Sequence, residues 1–381
     1  MKALIIGCGI AGPVTAMALL EVGIDAEIHE AYGQDAEGVG SFLNIASNGL
    51  AALRVLGAHR KVLDAGIPTP RMVMWSGTGK RLGEVANGLR LDDGTVSHTI
   101  LRSDLYRIIR AEAERRGVKI SYGKRLVSYD ERAGQVTARF EDGTEATGDL
   151  LIACDGVHSR TRSILDPQAP APRYSGLYNF GGITKDGGLS GEPGVYNMVF
   201  GKRAFFGYST SESGETWWFA NLPRRLGDVP ASWKAELVRA FEDDAISSAE
   251  LIARSEIQLG LPIHDLPPVP VWHRGRVLLL GDAAHATSPS SGQGASLAVE
   301  DAVVLARCLR DSRDHTEAFQ RFEAERRPRA ERVVAYSRTI SNSKAAGPVG
   351  RVFRDLMLPI FLRKSASQES LAWMYRYEAS L

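Results

Sequence analysis

"KALIIGCGIAGPVTAMALLEVGIDAEIHE" occupies residues 2–30. Its opening "KALIIG" is a continuous apolar run, the pattern of a strand buried on both faces. "AGPVTAMALLEVG" follows with Ala, Met and Leu at helical spacing and stops at Gly23. "DAEIHE" reads as a second strand. The joint between the first strand and the helix carries Gly7, Gly9 and Gly12 as GxGxxG. Glycine there permits a tight turn, then close approach of the backbone to a pyrophosphate, then close helix–strand packing. The helix start adds unpaired N–H groups and a positive dipole end. Glu30 closes the second strand about 20 residues on, where a carboxylate accepts ribose hydroxyls. The stretch is a βαβ unit for a dinucleotide, and NAD and FAD both satisfy it.

The whole chain has 381 residues, enough for two or three domains of roughly 100–200 residues. Hydrophobic content of 44% and charged content of 24% are those of a soluble globular protein. The net charge of +1 leaves no electrostatic footprint for nucleic acid. Cys8, Cys154 and Cys308 form no CxxC pair, so neither a metal site nor a disulfide framework is expected. The first strand begins at residue 2, which leaves no room for a targeting segment and points to the cytoplasm. No apolar run reaches the ~18 residues needed to span a membrane. "RVFRDLMLPIFLRK" (351–364) is short, apolar and flanked by bases. It reads as a C-terminal helix packed on the body and broken at Pro359, with contact to a membrane surface as the alternative.

Beyond residue 30 the pattern stays α/β. A helix is expected near "SNGLAALRVLG", strands near "RMVMWS" and "GTVSHTI", and a helix at "SDLYRIIRAEAERRG" with Ser103 as its cap. Strands near 118–121, 126–130 and 135–140 precede the buried strand "DLLIACDG". After about residue 170, "YNFGGI", "YNMVF", "RAFFGYST" and "ETWWFANL" alternate like an antiparallel sheet. Helices near 231–253, a strand "IQLGLPIH" and the Pro-rich "DLPPVPVW" follow. The α/β character returns at "RVLLLGD", and the chain is helical from about 316. The fold class is thus α/β. A discontinuous Rossmann-like domain (1–70, 101–170 and 270–315) carries an inserted, mostly antiparallel substrate domain (71–100 and 171–269) and C-terminal helices (316–381). A cleft between such domains commonly holds a small molecule.

Two further stretches carry chemistry. "ACDGVHSRTR" (153–162) ends a buried strand with Asp155 and Gly156 and enters a helix with Arg160 and Arg162. Its plain alternative is a capped helix start with two surface arginines. "GDAAHATSPSSGQG" (281–294) is a strand–loop–helix joint. Asp282 stands at the strand end, where a carboxylate reaches a polyol, and Gly292–Gly294 open a helix whose N–H groups hold an electron-rich ring edge or oxyanion. His285 reads as a loop histidine bonded to backbone.

In this order and at these intervals the three motifs resemble the class A flavin monooxygenases of the aromatic-hydroxylase fold. The likeness extends through "GQGASLAVEDAVVLARCL" to "WMYRY". It implies FAD stretched across the discontinuous domain. Gly7, Gly9, Ile10, Ala11, Gly12 and Glu30 would hold its adenosine diphosphate end. Arg102, in "ILRSDL", would approach its middle, beside Asp155 and Gly156. Asp282 would bind the ribityl chain, and Pro289, Gly292, Gly294 and Ala295 would lie against the isoalloxazine. Many such proteins have a basic residue directly after the ribose glutamate; here it is Ala31.

The resemblance also implies a reaction. NADPH or NADH, bound transiently, reduces the flavin; O2 then forms a C4a-hydroperoxide, which hydroxylates an electron-rich aromatic or polyketide-like molecule. The flavin carries the chemistry, so no side chain is assigned as catalytic, and the protein binds, orients and excludes water. The inserted strands supply apolar walls. Phe206, Trp217 and Phe219, with Asn197 as polar anchor and Pro289 on the flavin side, are the expected substrate residues. These strands hold no arginine demanding a carboxylate, which favours a bulky neutral substrate. The tetracycline-inactivating members, which modify antibiotics, have similar length. The chain is expected to act as a monomer or dimer. Two other readings stand: a flavin-dependent reductase or dehydrogenase of the same fold, and a flavin-binding protein that holds a reactive ligand without turnover.

Overall fold

The computed structural model describes residues 1–33, 42–185, 189, 191–258, 260–344, 348–365 and 371–381. A six-stranded sheet holds, in order, His273–Arg274, Val277–Leu279, Leu150–Ala153, Lys2–Ile6, Asp25–His29 and Lys119–Ser121. All its neighbours are parallel except the His273–Arg274 edge. Ala3, Leu4, Ile5 and Leu150–Ala153 are fully buried, which explains their unbroken apolar runs. Helices Ala11–Glu21, Arg102–Arg115 and Gly294–Asp311 share this core with the antiparallel hairpin strands Leu126–Arg132 and Gln135–Phe140.

The second large sheet has eight strands. Its centre is Arg173–Thr184, Thr216–Pro223, Phe205–Thr210 and Val195–Phe200, and Arg71–Ser76 and Arg81–Ala86 continue it. It is antiparallel apart from the parallel pairing of Val195–Phe200 with Arg71–Ser76. One face carries Phe180, Phe206, Trp218 and Leu222 into a core with Leu237, Phe241, Leu251 and Ile252. Those last four come from two helices, Trp233–Phe241 and Ser248–Arg254. The opposite face is turned to the strand Phe42–Ile45 and the C-terminal helices. A small sheet, in which Phe42–Ile45 pairs with His98–Leu101, stands between the two large ones.

Several local expectations change. Ser103 is not a cap: the strand His98–Leu101 runs straight into the helix, Leu101 is its extended N-cap residue, and Ser103 falls in the first turn. Pro359 does not break its helix, which runs Pro348–Ser365. That helix packs along Arg81–Ala86, with Leu362 against Gly83. The strands Arg81–Ala86 and Glu145–Gly148 lacked a strong apolar signal and were not expected. No helix of the described residues is long and apolar enough to cross a membrane.

Candidate active site

The glycine motif is built by contact as much as by turn geometry. Gly7 has φ +102°, and a Cβ there would overlap the Cys154 carbonyl. Gly12 lies so near the Gly7 carbonyl that it admits no side chain. Gly9 faces open space, with nothing within 4 Å of a would-be Cβ. Ile10 is the N-cap residue of the helix beginning at Ala11, and no side chain caps that end. Its free N–H groups remain available to an anion.

Glu30 is held in place by two backbone donors. Its Oε2 accepts from the Cys8 N–H at 2.6 Å and its Oε1 from the Tyr32 N–H at 2.9 Å. Each carboxylate oxygen keeps a lone pair for a hydroxyl. Where Ala31 supplies no charge, the Arg125 guanidinium lies 5.0 Å over the Tyr32 ring.

Asp155 acts within its own loop. Its Oδ1 accepts from Ser159 Oγ at 2.5 Å, and its Oδ2 accepts from the N–H and hydroxyl of Thr161. Ser159 in turn caps Arg160–Leu165. Arg160 is exposed, but Arg162 is not a surface residue. It donates to Ala283 O at 2.9 Å and Val157 O at 2.7 Å, which ties this loop to the next motif.

That motif opens on an exposed carboxylate. Asp282 is exposed to solvent at the start of the short helix Asp282–His285, yet desolvation by its surroundings raises its pKa, against the lowering charges of His285 and Arg102. Protein crowds the carboxylate from behind while its front is open. Arg102 holds Tyr106 Oη at 2.8 Å and senses the Asp282 charge. Gly294 stands across from Asp282, whose Oδ1 is 3.9 Å from where a Cβ would be. Pro289 is exposed and begins a 3₁₀ turn that ends at left-handed Gly292, φ +63°. Asn44 packs on Gly292. Ala295 is half-buried in the helix after Gly294. Gln293 is buried; its Oε1 accepts from Asn48 and its side-chain amide faces the Tyr375 hydroxyl.

His285 departs from the expectation of a backbone bond. It is buried in helix Asp282–His285, and its Nε2 meets Asp301 Oδ2 at 2.6 Å. Behind it, Arg326 reaches Asp301 and Glu300 at 2.6 and 2.8 Å, and Arg329 also pairs with Glu300. The Gly281 N–H and the Asn48 side chain join the same two carboxylates. Sequence reasoning missed this network, although an acid pair in the apolar run "SLAVEDAVVL" signals buried charge in search of partners.

The inserted sheet turns two expected substrate residues away. Paired residues share a face, and Phe206 pairs with Ala220 and Val199, on the helix-covered side. Phe206 is fully buried there, stacked on Trp218. Asn197 pairs with Tyr208 on that side and accepts from Trp75 Nε1 at 2.9 Å. Trp217 and Phe219 lie on the other face, their ring centroids 6.1 and 6.0 Å from Phe42. Phe42 is two residues before Asn44 on one strand, so this aromatic face adjoins the Gly292 turn. Tyr196, Asn179 and Asn221 share the face. Lys344, from the long helix His315–Lys344, closes its far end.

Comparison with known proteins gives consistent results. A family model described as "FAD binding domain" matches residues 1–337. A curated FAD-dependent urate hydroxylase from Klebsiella pneumoniae subsp. pneumoniae is 34% identical over 354 residues, covering 89% of each chain. The solved structure of Klebsiella pneumoniae HpxO with FAD and uric acid superimposes with a TM-score of 0.86 at 28% identity, covering 98% of this chain and 97% of that one. Tetracycline destructase Tet(55) superimposes with a TM-score of 0.71 at 22% identity, covering 96% and 97%, and shares the fold.

Proposed function

The chain belongs to the FAD-binding-domain family of flavin-dependent monooxygenases, and from that membership we propose which residues hold the cofactor and what kind of molecule is oxygenated. The enzyme uses FAD, NAD(P)H and O2. Bound FAD would supply the redox chemistry, with NAD(P)H as reductant and O2 as the source of one oxygen atom for the substrate and one for water.

The residues present fit FAD. Gly9 leaves room for a pyrophosphate at the uncapped start of the Ala11 helix. Glu30, already oriented, takes the ribose hydroxyls, and Tyr32 with Arg125 offers a surface for the adenine. Asp282 takes ribityl hydroxyls, with Arg102 opposite. The Pro289–Gly294 turn and Ala295 meet the ring. Asp155, Gly156 and Arg162 set the loop behind these groups. Sheet membership supports the domain division, since residues 71–86 hydrogen-bond into the same sheet as 173–223.

The substrate is a small electron-rich aromatic or heteroaromatic compound of the urate kind, lodged between the Gly292 turn and the aromatic face. The observation that carries this reading is the contact chain from Trp217 and Phe219 through Phe42 to Asn44 and Gly292. Trp217 Nε1 and Ser209 Oγ, neighbours by register, are both buried without partners. They are donors that a substrate oxygen or ring nitrogen would satisfy. The walls exclude water, on which transfer of oxygen to the substrate depends. The test is NAD(P)H and O2 consumption by FAD-loaded protein with urate and related heteroaromatics, with product mass read for one added oxygen. Ligand-independent oxidation with no oxygenated product in any case overturns the substrate class.

A further inference from the structure

The helix His315–Lys344 ends by inserting its last residue into the aromatic face. Lys344 Nζ donates to Asn221 Oδ1 at 3.0 Å. It stands 4.3 Å from the centroid of Phe205 and 5.5 Å from that of Phe219. Asn221 is itself tethered, its Nδ2 donating to Asn179 Oδ1 at 2.8 Å. One turn earlier on the helix, Ser341 bonds Ser288 and Ser290, and Ser337 accepts from the Ser291 N–H. The helix therefore holds the flavin-side turn with one end of a face and the substrate sheet with the next residue on it. Lys344 bridges the two.

Resting on the substrate site proposed above, we propose that Lys344 is its specificity-determining residue: its ammonium group pairs with an acidic oxygen, carboxylate or ring oxyanion, of an aromatic substrate lying on Phe219. Two features of the site support this. Among the described residues, an amide oxygen and two ring faces surround Nζ, neutral groups that steady a cation without consuming its charge. Among the described residues a half-buried lysine held this way keeps two N–H donors for a ligand. Burial also pushes its pKa down to about 7, so an approaching anion recovers the charge stabilisation that desolvation removed. An anionic ring oxygen enriches the ring in electrons, which suits it to accept an electrophilic oxygen. The expectation of a neutral substrate rested on strands with no arginine demanding a carboxylate; in this proposal the charge comes instead from a distant helix.

The test uses FAD-loaded full-length protein and the change in flavin absorbance on titration with matched probes. Salicylate and 6-hydroxynicotinate are compared with salicylamide and 6-hydroxynicotinamide at about pH 6.5, where the acids are anions and the amides neutral. Wild type is expected to bind at least one acid about tenfold more tightly than its amide, and Lys344→Met to remove that preference while amide affinity stays within about twofold. Lys344→Arg should keep the preference. Equal affinity for acid and amide in wild type, no binding of either acid, or an acid preference that survives in Lys344→Met overturns the proposal. So does loss of FAD in both variants, since Lys344 would then be part of the fold. Protein that oxidises NAD(P)H and oxygenates a substrate without an acid preference removes the role of Lys344 and leaves the substrate site standing. Wild type that retains no FAD removes both.

Discussion

His285 Nε2 lies 2.6 Å from Asp301 Oδ2, with both side chains buried. The same oxygen accepts from the Gly281 N–H at 3.1 Å, while Oδ1 takes Arg326 Nε at 2.6 Å. One carboxylate thus fixes the residue before Asp282, the end of its short helix and the long C-terminal helix. A loop proposed to hold a cofactor needs such backing to keep its geometry.

Asp301→Asn should lower stability by ~3–5 kcal/mol, because it leaves the buried Arg326 charge short of a partner. Desolvation would raise the pKa of Asp301, but the His285 and Arg326 charges overcome it and hold it at about 2, below the ordinary 3.8. A depressed carboxyl contributes its full stability above the unfolded value and loses it as pH falls through the folded one. The stability gap between wild type and variant should therefore narrow from about pH 4 toward about pH 2. Urea unfolding of the cofactor-free forms across that range measures it; a gap that widens in acid contradicts the assignment.

Asp282→Ala and His285→Ala should separate binding from folding. Asp282 is exposed, so its loss should weaken FAD binding by about 10–100-fold with little change in apoprotein melting. His285 is internal, so its loss should lower apoprotein stability by ~1–3 kcal/mol. Fluorescence titration with FAD and thermal melts distinguish the two, and identical profiles would refute the division.

The glycine motif allows a similar contrast. Gly9→Ala meets nothing within 4 Å in the protein and should leave the apoprotein melt unchanged, while its methyl group occupies pyrophosphate space and weakens FAD. Gly12→Ala collides with the Gly7 carbonyl and should destabilise the fold itself. Equal apoprotein melts for both would place Gly12 wrongly.

Phe206 and Trp217 lie on opposite faces of one sheet. Phe206→Ala should cost ~3–5 kcal/mol of stability, as for a fully buried core ring, and leave the coupling of NAD(P)H oxidation to product largely intact. Trp217→Ala should instead divert reducing equivalents to H2O2, since it opens the substrate side to water. Melting curves and the ratio of H2O2 to product test both, and tighter coupling in Trp217→Ala than in Phe206→Ala reverses the assignment of faces.

What the sequence determined by itself is local and periodic. Unbroken apolar runs marked the parallel strands, GxGxxG and Glu30 marked the dinucleotide end, and alternation in "ETWWFANL" put Trp217 and Phe219 together on one face. Tertiary structure decided which face meets the cleft. Alternation has two equivalent phases within a strand, and only the helices Trp233–Phe241 and Ser248–Arg254, packed on Phe206 and Trp218, break that equivalence. It also decided the polar chemistry. Lys344 is 123 residues from Asn221, and Arg326 is 25 from Asp301. No spacing rule links such pairs, because their proximity follows from how the helix His315–Lys344 packs on Gly294–Asp311 and reaches the inserted sheet, a consequence of packing rather than of any local pattern.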